Sequence, residues 1–171
     1  MGTKILLILA SLLIATSTIA GEVWTTPDIT IKGVRDQEKI GSQQLAKGDI
    51  NGDGKEDLII CETAADSGWW PTVQGKVYIF YGPLSTGTYY VSDADVIIEG
   101  NPTPDIFGMC NSCGDINGDG KDDVLIGAMY SSGGGTRRGT VYIFYGGSLS
   151  GTIPYTSADI IPKIPSSYND V

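Results

Sequence analysis

The run GDINGDGKEDLII, Gly48 to Ile60, returns almost unchanged as GDINGDGKDDVLI, Gly114 to Ile126. Three further blocks recur in the same order. GKVYIFYG (Gly75–Gly82) returns as GTVYIFYG (Gly139–Gly146), DADVII (Asp93–Ile98) as SADIIP (Ser157–Pro162), and Asp105-Ile106 as Asp170-Val171. All offsets fall between 64 and 66 residues, so the chain is built on a repeat of about 65 residues.

Each repeat predicts four short strands. In the first they run Gln43–Asp49, Asp57–Glu62, Lys76–Tyr81 and Ala94–Glu99; in the second, Met109–Asp115, Asp123–Met129, Thr140–Tyr145 and Ala158–Lys163. Turn chemistry separates them: Asn51-Gly52-Asp53-Gly54, Ser67-Gly68, Tyr81-Gly82-Pro83 and Thr86-Gly87. Val77-Tyr78-Ile79-Phe80-Tyr81 and Leu58-Ile59-Ile60 show no polar alternation. An antiparallel sheet with one wet face alternates, so these strands are expected to be buried on both faces. Four-stranded sheets stacked face to face describe the blades of a β-propeller.

The repeats resemble the FG-GAP repeats of integrin α-subunit propellers and of many microbial extracellular proteins. Phe107-Gly108 stands where that family has its FG pair, and Ile126-Gly127-Ala128 where it has GAP, with Met129 in place of the proline. The first repeat departs further, with Ile40-Gly41 for FG and Cys61-Glu62-Thr63 for GAP. The fold class expected is all-β: two four-stranded antiparallel blades plus a leading strand of an incomplete β-propeller. Asp28–Gly41 aligns with Asp95–Gly108, which makes Ile29–Lys32 a fourth strand that precedes its own blade. The expected organisation is a leading strand within 21–39, one blade over 40–106 and a second over 107–171. The chain stops where the next Phe-Gly is expected, so the reading favours a truncated piece of a longer propeller, with ring-forming self-association as the rival.

The pattern D-x-N-x-D-G-x-x-D occurs twice. Asp49, Asn51, Asp53 and Asp57 supply side-chain oxygens in one loop, and Asp115, Asn117, Asp119 and Asp123 in the other. Residues 1, 3 and 5 of a tight loop converge, glycine at position 6 permits the turn, and the carbonyls of Lys55 and Lys121 at position 7 face the same point. Such oxygens suit Ca²⁺, and two sites are expected; octahedral, water-retaining Mg²⁺ fits less well. An EF-hand shares the first six positions but needs helices and a Glu at position 12, which here is Ile60 or Ile126. A metal-free Asn-Gly turn explains the glycines but not the acids at 1, 5 and 9 in both copies.

Composition narrows the function. The 171 residues carry 11 basic and 20 acidic side chains, a net charge of −9, and no His. That leaves no basic surface for a nucleic-acid backbone, no imidazole for a metal or a catalytic triad, and oxygen as the main metal donor. Carboxylates pair only where calcium explains them, so the expectation is a non-enzyme. Met1–Ala20 has the Lys4 start, the apolar Ile5–Ala15 stretch and the small residues at Thr18 and Ala20 of a cleaved secretory signal. No later segment is apolar enough to span a membrane, so a secreted or cell-surface protein is expected. Cys110 and Cys113 lie three apart on a predicted strand and so face opposite ways. With Cys61 the count is odd; packing as small apolar side chains is the default, beside a free thiol.

The family places the calcium loops on the lower face and the second-to-third strand connections on the upper, partner-binding face. Trp69-Trp70 and Arg137-Arg138 fall in those upper connections. The Trp pair either packs over the blade edge or stacks on a sugar or anchors a partner; the Arg pair is solvated or joins that surface. The function expected is a calcium-binding segment for adhesion or protein–protein interaction with an extracellular protein or glycan. The alternative is a carbohydrate-binding accessory module of an extracellular polysaccharide-active enzyme.

Overall fold

The computed structural model describes residues 27–35, 39–41, 45–63, 74–102, 106–129, 131 and 139–161. The expected signal segment, Trp69-Trp70, Arg137-Arg138 and the last ten residues lie outside them. Ten strands follow in order: β1 Ile29–Lys32, β2 Ala46–Gly48, β3 Asp57–Glu62, β4 Lys76–Phe80, β5 Gly87–Tyr90, β6 Val96–Glu99, β7 Phe107–Gly114, β8 Asp123–Ala128, β9 Thr140–Phe144 and β10 Gly151–Pro154. The fold is all-β, and the described residues include no α-helix.

In the first blade β2, β3, β4 and β6 form an antiparallel meander, with Ala46 opposite Ile59, Ile60 opposite Tyr78 and Val77 opposite Ile98. In the second, β7, β8 and β9 form the same meander. Its fourth position is held by an antiparallel bridge between Ile143 and Ile160. The predicted fourth strand Ala158–Lys163 is thus represented by that bridge, and Pro162 and Lys163 lie outside the described residues.

The structure adds one short strand to each repeat beyond the four-position blade. Thr86-Gly87 does not end a turn but opens β5, and Gly151 opens its counterpart β10. The β-favouring residues after each glycine, Thr88-Tyr89-Tyr90 and Thr152-Ile153, extend the chain. Each extra strand pairs parallel with a strand outside its own meander. β10 runs beside β6, Gly151 opposite Val96, which widens the first blade's sheet to five strands in the order β10-β6-β4-β3-β2. β5 runs beside β1 in the same way, Gly87 opposite Ile29. Single 3-10 turns, Val91–Asp93 and Tyr155–Ser157, follow the two extra strands.

The first blade is buried on both faces, as its lack of alternation requires. Leu58, Ile60, Tyr78 and Phe80 pack against Ile29 and Ile31 of β1. Ile59, Cys61, Val77, Ile79, Val96 and Ile98 point the other way, onto Phe107, Val124, Ile126, Tyr142 and Phe144 of the second blade. Phe107 is the pivot of that seam. A Cβ placed on Gly75 would stand 2.2 Å from the Phe107 carbonyl oxygen, and one on Gly100 would stand 2.5 Å from the Phe107 Cβ. Two glycines therefore clear the slot in which the ring is fully buried. The outward face of the second blade is more open: Val141, the repeat counterpart of the fully buried Val77, is 45% exposed.

Candidate metal loops and family

The two acidic loops join β2 to β3 and β7 to β8, the same relative place in each blade. Their backbone is folded by side-chain oxygens. In the first loop Asp49 Oδ1 accepts the N–H groups of Gly52 and Asp53, each at 2.9 Å, and its Oδ2 accepts that of Gly54 at 2.9 Å. Asn51 Oδ1 accepts from Asp53 N, and Asp53 Oδ1 from Lys55 N, both at 2.9 Å. The second loop repeats this. Asp115 accepts from Gly118, Asp119 and Gly120 at 2.7–3.0 Å, Asn117 from Asp119 at 2.8 Å, and Asp119 from Lys121 at 3.0 Å. Gly54 and Gly120 sit at φ +81 and +86, where a side chain is strained, with open space around them.

The ninth positions are different in kind. Asp57 and Asp123 are fully buried, whereas the other loop acids are exposed or half-buried. Asp57 Oδ2 accepts from Ile50 N at 2.8 Å and Asn51 N at 3.2 Å, and its Oδ1 from Gly82 N at 2.8 Å. Asp123 makes the same three bonds, to Ile116, Asn117 and Gly146. Each buried carboxylate thus ties the loop's entry to the end of the third strand of its blade. Burial pushes the Asp57 carboxyl above its ordinary value, while the N–H groups of Gly82, Asn51 and Ile50 oppose that rise. Asp53 moves the other way, lowered by the hydrogen bond from its neighbour Lys55.

The donor set is all hard oxygen: carboxylates, the Asn51 or Asn117 amide and main-chain carbonyls. In the first loop the Lys55 ammonium lies 3.0 Å from Asp53 Oδ2, so a positive charge already rests on one of the expected ligands. These residues fit a hard cation in chemistry. Among the described residues, no three acidic or cysteine side chains converge closely enough to hold an ion by themselves. The amide and carbonyl oxygens would have to complete each set.

Sequence reasoning missed three groups. Asp122, the eighth residue of the second loop, accepts a hydrogen bond from Asp49 N at 2.9 Å through Oδ2. Asp95 and Asp159 each cap a third strand by accepting from Tyr81 N and Tyr145 N at 2.7 Å; their matching places in the two repeats were the available signal. Glu62, in the segment that replaces GAP, is fully buried, takes the Tyr78 hydroxyl and is 3.1 Å from Arg35. Cys61 and Cys113 form no disulfide. Burial pushes the Cys113 thiol up to about 12, with Asp122 and Asp57 adding to the rise.

Repeated meanders stacked face to face, each with an acidic turn between its first two strands, are the blades of a propeller. The FG-GAP repeat model matches residues 112–144, and an FG-GAP-like repeat model matches residues 49–126. The chain is an FG-GAP repeat protein. Among its relatives, phosphatidylinositol-glycan-specific phospholipase D of Rattus norvegicus is 33% identical over 115 residues, 67% of this chain and 13% of that protein. The Homo sapiens protein of the same description is 32% identical over 121 residues, 70% of this chain and 14% of the relative. Integrin alpha-PS2 of Drosophila melanogaster is 35% identical over 111 residues, 61% of this chain and 8% of the relative. The chain therefore matches only a small part of each relative's length, and its likeness to the phospholipase runs through the repeat region. No helix among the described residues is long and apolar enough to cross a membrane.

Proposed function

We propose that this chain is a calcium-stabilised propeller segment that works outside the cell, secreted or at its surface, and serves adhesion or protein binding rather than catalysis. The observation that carries the reading is the pair of loops folded by matching hydrogen bonds, with only hard oxygen donors at positions 1, 3, 5, 7 and 9. Asp49, Asn51, Asp53, Asp57 and the Lys55 carbonyl would hold one ion; Asp115, Asn117, Asp119, Asp123 and the Lys121 carbonyl would hold the other. Calcium would supply no chemistry beyond charge. It would relieve the repulsion among the carboxylates of each loop and fix the turn between the first two strands of the blade. Trp69, Trp70, Arg137 and Arg138, in the segments that follow β3 and β8, would contribute the contact with a protein or glycan.

Calorimetric titration of the chelator-treated protein tests the reading: two calcium ions are expected per chain, and one after either Asp49→Ala or Asp115→Ala. A titration with no calcium uptake overturns it.

A further inference from the structure

The two acidic loops are not separate ornaments on two blades. Asp122 N donates to the Asp49 carbonyl at 2.9 Å, while Asp49 N donates back to Asp122 Oδ2 at 2.9 Å. Asp49 is the first residue of the first loop, and its carboxylate gathers the N–H groups of Gly52, Asp53 and Gly54. Gly147 N adds a third tie, to the Ile50 carbonyl at 2.7 Å. Lys121 lies over the same loop: a Cβ on Gly52 would stand 3.0 Å from the Lys121 Cγ and Cδ. The eighth residue of the second loop thus bears directly on the first residue of the first loop, and the seventh on its fourth.

The corresponding residues of the first loop do something else. Lys55 folds back onto Asp53 of its own loop, and Glu56 pairs with Lys47 of its own blade at 2.6 Å. The connection therefore runs from the second loop into the first through Asp122, a residue that is not itself among the proposed ligands.

We propose that Asp122 is a positioning residue that couples the two cation loops, so that an ion in the second raises the affinity of the first. The inference rests on the calcium reading above. Its physical basis is ordering: an ion held by Asp115, Asp119 and Asp123 fixes the backbone through Lys121 and Asp122. That backbone in turn fixes the amide and carbonyl of Asp49. The first loop then loses less freedom when it closes on its own ion. By linkage the first loop must favour the second by the same factor.

The experiment uses calcium titrations of the full chain. Asp119→Ala silences the second loop from an exposed position without touching Asp122. The affinity of the first loop is expected to fall about fivefold or more when it is alone, the lower end of ordinary coupling between sites. Asp53→Ala, which silences the first loop, should lower the second loop by the same factor. In an Asp122→Ala background the first loop is expected to be weak already and to lose nothing further on Asp119→Ala, while Asp122→Asn, which keeps an acceptor oxygen for Asp49 N, should retain the coupling. If both loops bind calcium and each is indifferent to the loss of the other, the coupling is refuted and the calcium reading stands. Coupling that persists in full in Asp122→Ala also refutes it. No uptake by either loop overturns both.

Discussion

Replacing Asp57 by Ala should cost far more stability than replacing Asp49 by Ala when both proteins are kept in chelator. Each carboxylate accepts three backbone N–H groups, so a tally of hydrogen bonds would rank them equal. Burial separates them. Around Asp49 the freed N–H groups sit in an exposed turn and turn to water, which limits the loss to about 1 kcal/mol, the usual scale of a lost cap. Around Asp57, which is 1% exposed, they do not. A hydrogen bond to a charged group contributes roughly 1.5–3 kcal/mol, and a buried donor left bare keeps its desolvation penalty. Against that, Ala also removes the cost of burying the carboxylate, the same cost that raises the Asp57 pKa. The net loss for Asp57→Ala is therefore about 3 kcal/mol. For a chain of this size that corresponds to a fall in Tm of roughly 6–12 °C, against roughly 2–4 °C for Asp49→Ala. Urea unfolding in excess chelator, followed by circular dichroism, measures both. Equal losses for the two variants would refute the reasoning, because they would mean that burial of the ninth position contributes nothing without an ion.

Three further outcomes rest on the packing between the blades and on Tyr81. Phe107→Ala should cost about 3–5 kcal/mol by emptying the seam between blades, and Gly100→Ala about 1–3 kcal/mol by pushing a methyl group onto the same ring; chemical denaturation of each variant reads both. Burial, with Asp57 and Asp95 adding to it, pushes the Tyr81 phenol up to about 12, and its hydroxyl donates to the Leu149 carbonyl. Its folded pKa lies above the unfolded value near 10, so its contribution to stability is complete below about pH 10 and disappears as the pH rises toward 12. Difference tyrosinate absorbance between the native protein and Tyr81→Phe should show that phenol ionising only above pH 10.

The strands that run without polar alternation were legible because their burial is a local property. β3 was predicted as Asp57–Glu62 and is found there, and β4 and β9 each end one residue earlier than predicted. β5 and β10 were not legible. Their partners lie 58 and 55 residues upstream at Ile29 and Val96, and a glycine at the start of an extended run looks the same as one that ends a turn. The acidic loops show a similar division. Spacing alone marked five expected ligand positions in each, but it set the ninth beside the first as equals. What distinguishes Asp57 is the Gly82 N–H, which approaches only after β4 has returned along β3. Asp122 was invisible for the same reason: its partner Asp49 belongs to the other repeat.

The placement of β10 alongside β6 has a mechanical meaning. The chain passes from the first blade to the second through its backbone, then reaches back and stitches four residues to the edge it left. A force that pulls the blades apart must tear this seam as well as strip Phe107 from its slot. Yielding should therefore come by the pair of blades rather than by the single repeat.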